Sequence, residues 1–373
     1  MSKSWIAPGC IHRSTDPACS CPARSRSVQL RRCCRYVYIN PSLSEPGVVR
    51  NLESPSRHTT APRRAKLASI RIALGEITRQ LATTVRAARR FGKVHIDAVL
   101  NAADRLTTLV LDDPDGCLWL IQMQGSDGLL YRRSIGTAAY AIMFGRQLGL
   151  KRAELCHLAA GGLLLDIGKT SVPIQLLAKP GKLNEIEQHF VQRHVLQGIN
   201  ILRLTGDAPP RVAEMILGHH ERLDGSGYPR GLRGTEIPLF ARIAAIIDSF
   251  DAMTLNRHYA DGISAHHALR ALNTGRGQAY DAALLREFIH ALGVYPTGTR
   301  VELVDGRVGL VCAQNPEWPL RPLILQTETA DGELLTEPRL LASGLDGHIA
   351  RALPPAPQPV NLEELEQIIP APA

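Results

Sequence analysis

The residues best suited to chemistry begin at the end of an apolar stretch, where Asp166 is followed by Gly168 and Lys169. A carboxylate beside buried side chains needs a cation or hydrogen-bond donors, because an isolated buried charge is costly. Taken alone, Asp166 is explained more simply as a helix cap or an ion-pair partner. Its chemical meaning therefore depends on what the rest of the sequence can bring beside it.

Three histidines follow this acid. His194 is expected on a helix that begins at the capping sequence Asn184-Glu185-Ile186-Glu187, where a single histidine is more often a satisfied core residue. His219 and His220 form an adjacent pair at a predicted helix end, directly before a glycine-rich loop. Packing alone explains such a pair poorly.

A second acid, Asp248, follows the apolar run 243–247 of a further predicted helix and needs a partner there. Each of these stretches is weak evidence by itself. Imidazoles and carboxylates on successive helices are best explained jointly by a divalent-metal site inside a helical bundle. The predicted metal ligands are Asp166, His194, His219, His220 and Asp248.

Apolar spacing indicates which elements position these residues. It is helical over 67–91 and 97–111, and apolar helices dominate from 129 to 292. Period-two stretches then surround the turns Asp305-Gly306 and Asp331-Gly332, which predict β-hairpins. We therefore expect a mainly α protein with a disordered basic leader (1–66), a helical lead-in (67–125), a helical domain (126–295), a small β hairpin appendage (296–345) and a Pro/Ala-rich tail (346–373).

The charge is concentrated in the predicted leader. Residues 1–66 hold 12 Lys/Arg against 3 Asp/Glu, whereas the rest holds 31 against 32, so the net charge of +8 gives no reason to expect nucleic acid on the folded body. Five of the eight cysteines lie in the leader without the paired spacing of a zinc site. No apolar run is long enough for a membrane span, which favours a cytoplasmic protein without a membrane partner.

The stretch from Tyr131 to Leu292 resembles the HD-GYP domain, a subgroup of the HD phosphohydrolases that hydrolyse the bacterial second messenger cyclic di-GMP. The sequence HHERLDGSGYPRGLRGTEIPL is close to the family signature over its whole length. IIDSFDAMT and LLAKPGKLNEIEQHFVQRHVLQG match neighbouring segments of the family. The resemblance implies an HD-type helical bundle with cyclic di-GMP as its ligand.

The resemblance also implies roles for single residues. Family members hold two or three metals, usually iron or manganese, which Asp166 would bridge as a catalytic residue. Lys169 would contact the phosphate as the second catalytic residue, and Tyr228 and Arg257 would face the nucleotide. The Gly227-Tyr228-Pro229 loop would offer a docking point for a diguanylate cyclase.

Two imidazoles that the family uses for its first metal are missing. Leu165 stands in the place of the histidine of the HD doublet, and Arg133 stands in the place of an upstream histidine. The first metal would keep only Asp166 and Asp248 among its usual ligands, so we expect a single ion or none. Arg133 either pairs with one of these acids in place of the lost metal's charge or points to solvent.

These departures favour a signalling module with reduced or lost hydrolysis, which binds cyclic di-GMP or docks a partner. The alternative is a working, metal-dependent cyclic di-GMP phosphodiesterase that uses the remaining ligands. A third hypothesis gives the basic leader a structural or nucleic-acid role, which would make binding sensitive to salt.

Overall fold

The computed structural model of the protein describes residues 60–123, 129–254, 262–315, 318–343 and 346–355. Most of the predicted leader and most of the predicted tail lie outside these ranges. The same holds for Arg257, whose predicted role therefore stays a prediction.

The lead-in consists of three helices: α1 (Thr60–Phe91), α2 (Ile96–Asp112) and α3 (Pro114–Met123). Helix α1 begins inside the segment predicted as leader. One face of α1 is fully buried, because Leu67, Leu74 and Ile77 recur at helical spacing. The lead-in therefore packs as part of the folded body.

Further helices follow between Leu129 and Leu292. No helix in the described ranges combines the length and apolarity needed to cross a bilayer. The predicted cap at Asn184 is confirmed, since its side chain accepts a hydrogen bond from the Glu187 amide. The helices are α4 (Leu129–Gln147), α5 (Arg152–Leu164), a 3₁₀ helix (Ile167–Ser171), α6 (Ile174–Leu177), α7 (Glu185–Gln192), α8 (His194–Thr205), α9 (Pro210–Gly218), α10 (Leu239–Thr254), α11 (Ala265–Thr274) and α12 (Ala282–Leu292).

An antiparallel sheet with strand order β4-β3-β2-β1-β5 follows the helices. Both predicted Asp-Gly turns connect hairpins of this sheet. Strand β5 pairs with β1 and lies within the segment predicted as tail. It is not predicted as a strand, because its sequence IARA lacks the period-two apolar pattern of a half-buried strand. The strands are β1 (Arg300–Leu303), β2 (Val308–Ala313), β3 (Leu323–Glu328), β4 (Leu334–Ala342) and β5 (Ile349–Ala352).

One continuous apolar core runs through the lead-in, the helical domain and the sheet. Leu74 of α1, Phe144 of α4, Ile247 of α10 and Leu325 of β3 all belong to it. Helix α1 also packs against the 3₁₀ helix that follows Asp166. The three predicted segments thus share the interior that positions the site.

A buried acid fastens the sheet to the helices. Asp115, at the start of α3, accepts hydrogen bonds from the Thr297 hydroxyl and from the backbone amide of Gln314 at 3.0 Å. Its side chain is 7% exposed, so neither donor has water as an easy replacement partner.

We predict that Asp115→Ala lowers the free energy of unfolding by about 2–4 kcal/mol, because two buried donors lose their acceptor. Asp112→Ala is the matched control, since Asp112 is largely exposed and pairs with Lys66 at the surface. It should cost less than about 1 kcal/mol. Urea unfolding measures both values, and equal losses would contradict the proposed role of Asp115.

Candidate metal centre

Asp166 lies where α5 ends and the 3₁₀ helix begins. Gly168 lets this 3₁₀ helix touch α8, because a Cβ at Gly168 would lie only 1.9 Å from the carbonyl oxygen of His194. The close approach places Asp166 Oδ1 3.5 Å from His194 Nε2. The helix that begins after Asn184 ends at Gln192, and His194 is the first residue of the next helix, α8. The prediction that His194 lies on the helix capped by Asn184 is therefore wrong, because the helix breaks at Arg193.

Backbone carbonyls fix the orientation of two imidazoles. His194 Nδ1 lies 2.7 Å from the Val191 carbonyl oxygen, and His219 Nδ1 lies 2.9 Å from that of Ile216. A carbonyl oxygen only accepts, so both Nδ1 atoms donate and both Nε2 atoms of the neutral rings carry a lone pair. These Nε2 atoms are 3.4 Å apart. Metal-binding histidines are commonly oriented in this way.

The carboxylate of Asp166 adds a third lone pair beside the Nε2 atoms of His194 and His219. Its Oδ1 is buried, has no hydrogen-bond partner among the described residues and also lies 3.9 Å from His219 Nε2. His220 brings a further ring nitrogen, and the ligand atoms of the three histidines lie within 4.8 Å of one another. Converging lone pairs without a proton between them fit one divalent cation. We call this group the histidine half: Asp166, His194, His219 and His220.

The protonation states suit metal binding. Burial lowers the pKa of His194 to about 4, and it also lowers the pKa values of His219 and His220. Burial alone would raise the pKa of Asp166, but Lys169 and Arg133 hold it well below its ordinary value. Neutral imidazoles and an ionised carboxylate are the forms that bind a metal.

Arg133 of α4 faces three carboxylates. Its Nη2 donates to Asp248 Oδ1 at 2.7 Å, its Nη1 lies 3.6 Å from Asp166 Oδ2, and its Nε lies 3.2 Å from Asp251 Oδ2. The predicted pairing with Asp166 or Asp248 is confirmed for both acids, and the alternative of a solvent-directed side chain is wrong. We call this group the arginine half: Arg133, Asp166, Asp248 and Asp251.

Asp251 is the member that the sequence analysis missed. It lies one turn after Asp248 on α10 and is 4% exposed. Burial raises the pKa of Asp251 to about 7, although Arg133 acts in the opposite direction. The signal was available, because a second acid three residues after the first lies on the same face of an apolar helix.

The remaining predicted residues lie around these two halves. Lys169 Nζ is 2.7 Å from Asp166 Oδ2, and Asp248 Oδ2 is 3.8 Å from His220 Nδ1. The ring of Tyr228 stacks on His220, with ring centres 4.6 Å apart. Leu165, in the place of the expected histidine, is buried.

We predict that Arg133→Ala lowers the free energy of unfolding of the metal-free protein by about 3 kcal/mol, because buried carboxylates lose their cation. Arg132→Ala is the control, since the hydrogen bond that Arg132 donates to the Gln122 carbonyl oxygen is long, at 3.3 Å. Its loss should cost about 1 kcal/mol. Urea unfolding distinguishes the two, and similar losses would contradict the ion-pair cluster.

We predict that Asp251 titrates near pH 7 in the metal-free protein, well above the ordinary value of about 4. Its folded-state pKa exceeds the unfolded value, so its contribution to stability is lost as the pH rises from about 4 through 7. Asp251→Asn should therefore gain stability relative to the unmodified protein over this range. Carbon-13 NMR of the aspartate carboxyls gives the pKa directly, and a value near 4 would contradict the effect of burial.

The chain resembles several known proteins in sequence and in fold. The HD domain family matches residues 119–284. A cyclic di-GMP phosphodiesterase of Pseudomonas aeruginosa is 37% identical over 224 residues, which cover 60% of this chain and 54% of that protein. A cyclic di-GMP phosphodiesterase response regulator of Xanthomonas campestris is 40% identical over 166 residues, covering 41% and 44%.

A 3'3'-cGAMP-specific phosphodiesterase of Vibrio cholerae is 42% identical over 127 residues, covering 34% of this chain and 29% of that protein. The chain spans about half the length of the first of these relatives and less of the others. A solved structure, described as a HDG"Y"P protein from Bdellovibrio bacteriovorus, has a TM-score of 0.50 at 15% identity and covers 59% of this chain and 70% of that one. At this identity the likeness concerns the fold alone.

Proposed function

Since the chain belongs to the HD-GYP family, we propose that its site binds a cyclic dinucleotide around a single divalent ion and hydrolyses it slowly or not at all. The observation that carries the proposal is the arginine half. A first ion would need Asp166 and Asp248, and the guanidinium of Arg133 is already paired with both.

Electrostatic repulsion makes binding of an additional ion between Asp166 and Asp248 unfavourable. Three carboxylates face Arg133, and Lys169 pairs with one of them, Asp166. Burial keeps Asp251 partly protonated near neutral pH. A divalent ion inserted beside Asp248 would lie within a few ångströms of a permanent cation in a site with limited water, where the repulsion is strong. In the histidine half the three imidazoles remain, and Asp166 offers its other oxygen, Oδ1, which has no hydrogen-bond partner among the described residues.

The histidine half, Lys169 and Arg133 would make different contributions to binding and hydrolysis. An ion in the histidine half would supply Lewis acidity toward a phosphoryl oxygen. Lys169, whose side chain is 27% exposed, adds a cation that can reach an anionic ligand. Arg133 adds fixed positive charge but offers no open coordination position, so it supports binding of an anion more than its hydrolysis. Imidazole and carboxylate donors can bind either iron or manganese, and the identity of the metal stays a prediction.

The alternative function is a working phosphodiesterase, which the complete histidine half favours. The relatives are named for cyclic di-GMP and for 3'3'-cGAMP, so both nucleotides belong in the test. Docking of a diguanylate cyclase through Gly227-Tyr228-Pro229 also stays a prediction. Within the loop 224–232 the exposed residues are Asp224, Ser226 and Arg230, and a partner would meet these first.

We predict one metal ion per chain after anaerobic loading with Fe²⁺ or Mn²⁺, with cyclic di-GMP bound and intact. Elemental analysis and chromatography of the nucleotide on one sample measure both. Two ions together with linear dinucleotide or GMP would overturn the single-ion proposal and identify an enzyme. Metal with neither nucleotide bound would contradict the proposed ligand.

Restoring the two imidazoles should restore a second ion. We predict that Arg133→His combined with Leu165→His raises the metal content from one to two and increases turnover at least tenfold, because the guanidinium gives way to ligands. The matched control is Arg132→His combined with Leu165→His, which adds the same two imidazoles but keeps Arg133. It should stay at one ion, and equal metal content in both double variants would contradict the role given to Arg133.

A further inference from the structure

The loop that follows the histidine pair folds back onto its own beginning. The Tyr228 amide donates to the His220 carbonyl oxygen at 3.2 Å. Gly227 is in close contact with the start of the loop, because a Cβ there would lie 2.4 Å from the Arg222 nitrogen and 2.5 Å from the Cα of Glu221. The loop is therefore held closely against the residues that lead into it.

Glu221 fastens the far side of this loop. Its carboxylate accepts hydrogen bonds from two backbone amides, with Oε1 2.8 Å from the Arg230 nitrogen and Oε2 3.0 Å from the Leu232 nitrogen. The residue is 1% exposed, so water does not compete for these contacts. Hydrogen bonds to an ionised acceptor are stronger than neutral ones, and here one side chain makes two.

The closed loop determines what covers the histidine half. Tyr228 belongs to this loop, and its ring is inclined by only 24° to that of His220, with ring centres 4.6 Å apart. His220 in turn lies 3.8 Å from Asp248. If the loop opened, His220 would lose its stacking partner.

We propose that Glu221 is a positioning residue, which holds the loop 224–232 closed so that Tyr228 covers His220 and borders the ligand side of the site. Glu221 acts through the loop, because its carboxylate oxygens are bonded to the Arg230 and Leu232 amides rather than to the predicted metal ligands. The effect on nucleotide binding rests on the function proposed above, whereas the closure of the loop does not.

The test compares Glu221→Gln with Glu214→Gln. The amide introduced by Glu221→Gln keeps one acceptor oxygen but turns an NH₂ group toward a backbone amide, so one hydrogen bond is lost and two donors meet. Glu214 is on α9, pairs with Arg211 and lies outside the loop. The metal-loaded full chain is used, and thermal unfolding checks that each variant is folded.

We expect Glu221→Gln to increase hydrogen exchange of the Arg230 and Leu232 amides at least tenfold, to weaken cyclic di-GMP binding about tenfold and to leave the metal content unchanged. Glu214→Gln should change none of these. Unchanged exchange in Glu221→Gln overturns the proposal. Faster exchange with unchanged nucleotide affinity also overturns it, because the loop would then be only structural.

The two proposals fail in different ways. If the unmodified protein binds no cyclic dinucleotide, the function proposed above fails, and NMR signals of the histidine rings of the metal-free protein then decide the role of Glu221. Glu221→Gln should shift the ring signals of His220 and leave those of His194 in place. Ring signals of His220 that do not move overturn the positioning role.

Discussion

Three carboxylates meet one guanidinium in a part of the protein that water reaches poorly, and the arrangement of the helices depends on this balance. Asp248 and Asp251 come from α10, Asp166 from the end of α5, and Arg133 from α4. Without the cation the buried carboxylates would repel one another across the helix contacts. The interaction therefore contributes to the packing of the bundle and determines which charges remain for a ligand.

Asp166 belongs to both halves of the site. One of its oxygens faces the histidines, while the other lies beside Lys169 and Arg133. Any change of charge in one half is therefore felt in the other through a single side chain.

The features that could be predicted from the sequence are those that depend on the local pattern of residues. The mainly helical fold, the cap at Asn184 and the two Asp-Gly hairpins follow from spacing and turn chemistry, and all are present. It left open whether Arg133 meets an acid or solvent, because its partner Asp248 lies 115 residues away and only the packing of α4 on α10 decides. Glu221 was missed for the same reason, since its role comes from contacts that the fold creates. Asp251 was missed although its spacing from Asp248 already places both acids on one face of α10.

The shared apolar core extends beyond both ends of the HD domain match. The stretch that the HD domain family matches, residues 119–284, is shorter than the part of the chain that closes the interior. Leu67 and Leu74 on one side and Leu310 and Leu325 on the other fill that interior beyond both limits. A fragment cut at the limits of the family match would expose an apolar surface where α1 and the sheet had been, and it would tend to aggregate. The region that defines the family match is therefore shorter than the region that must fold together.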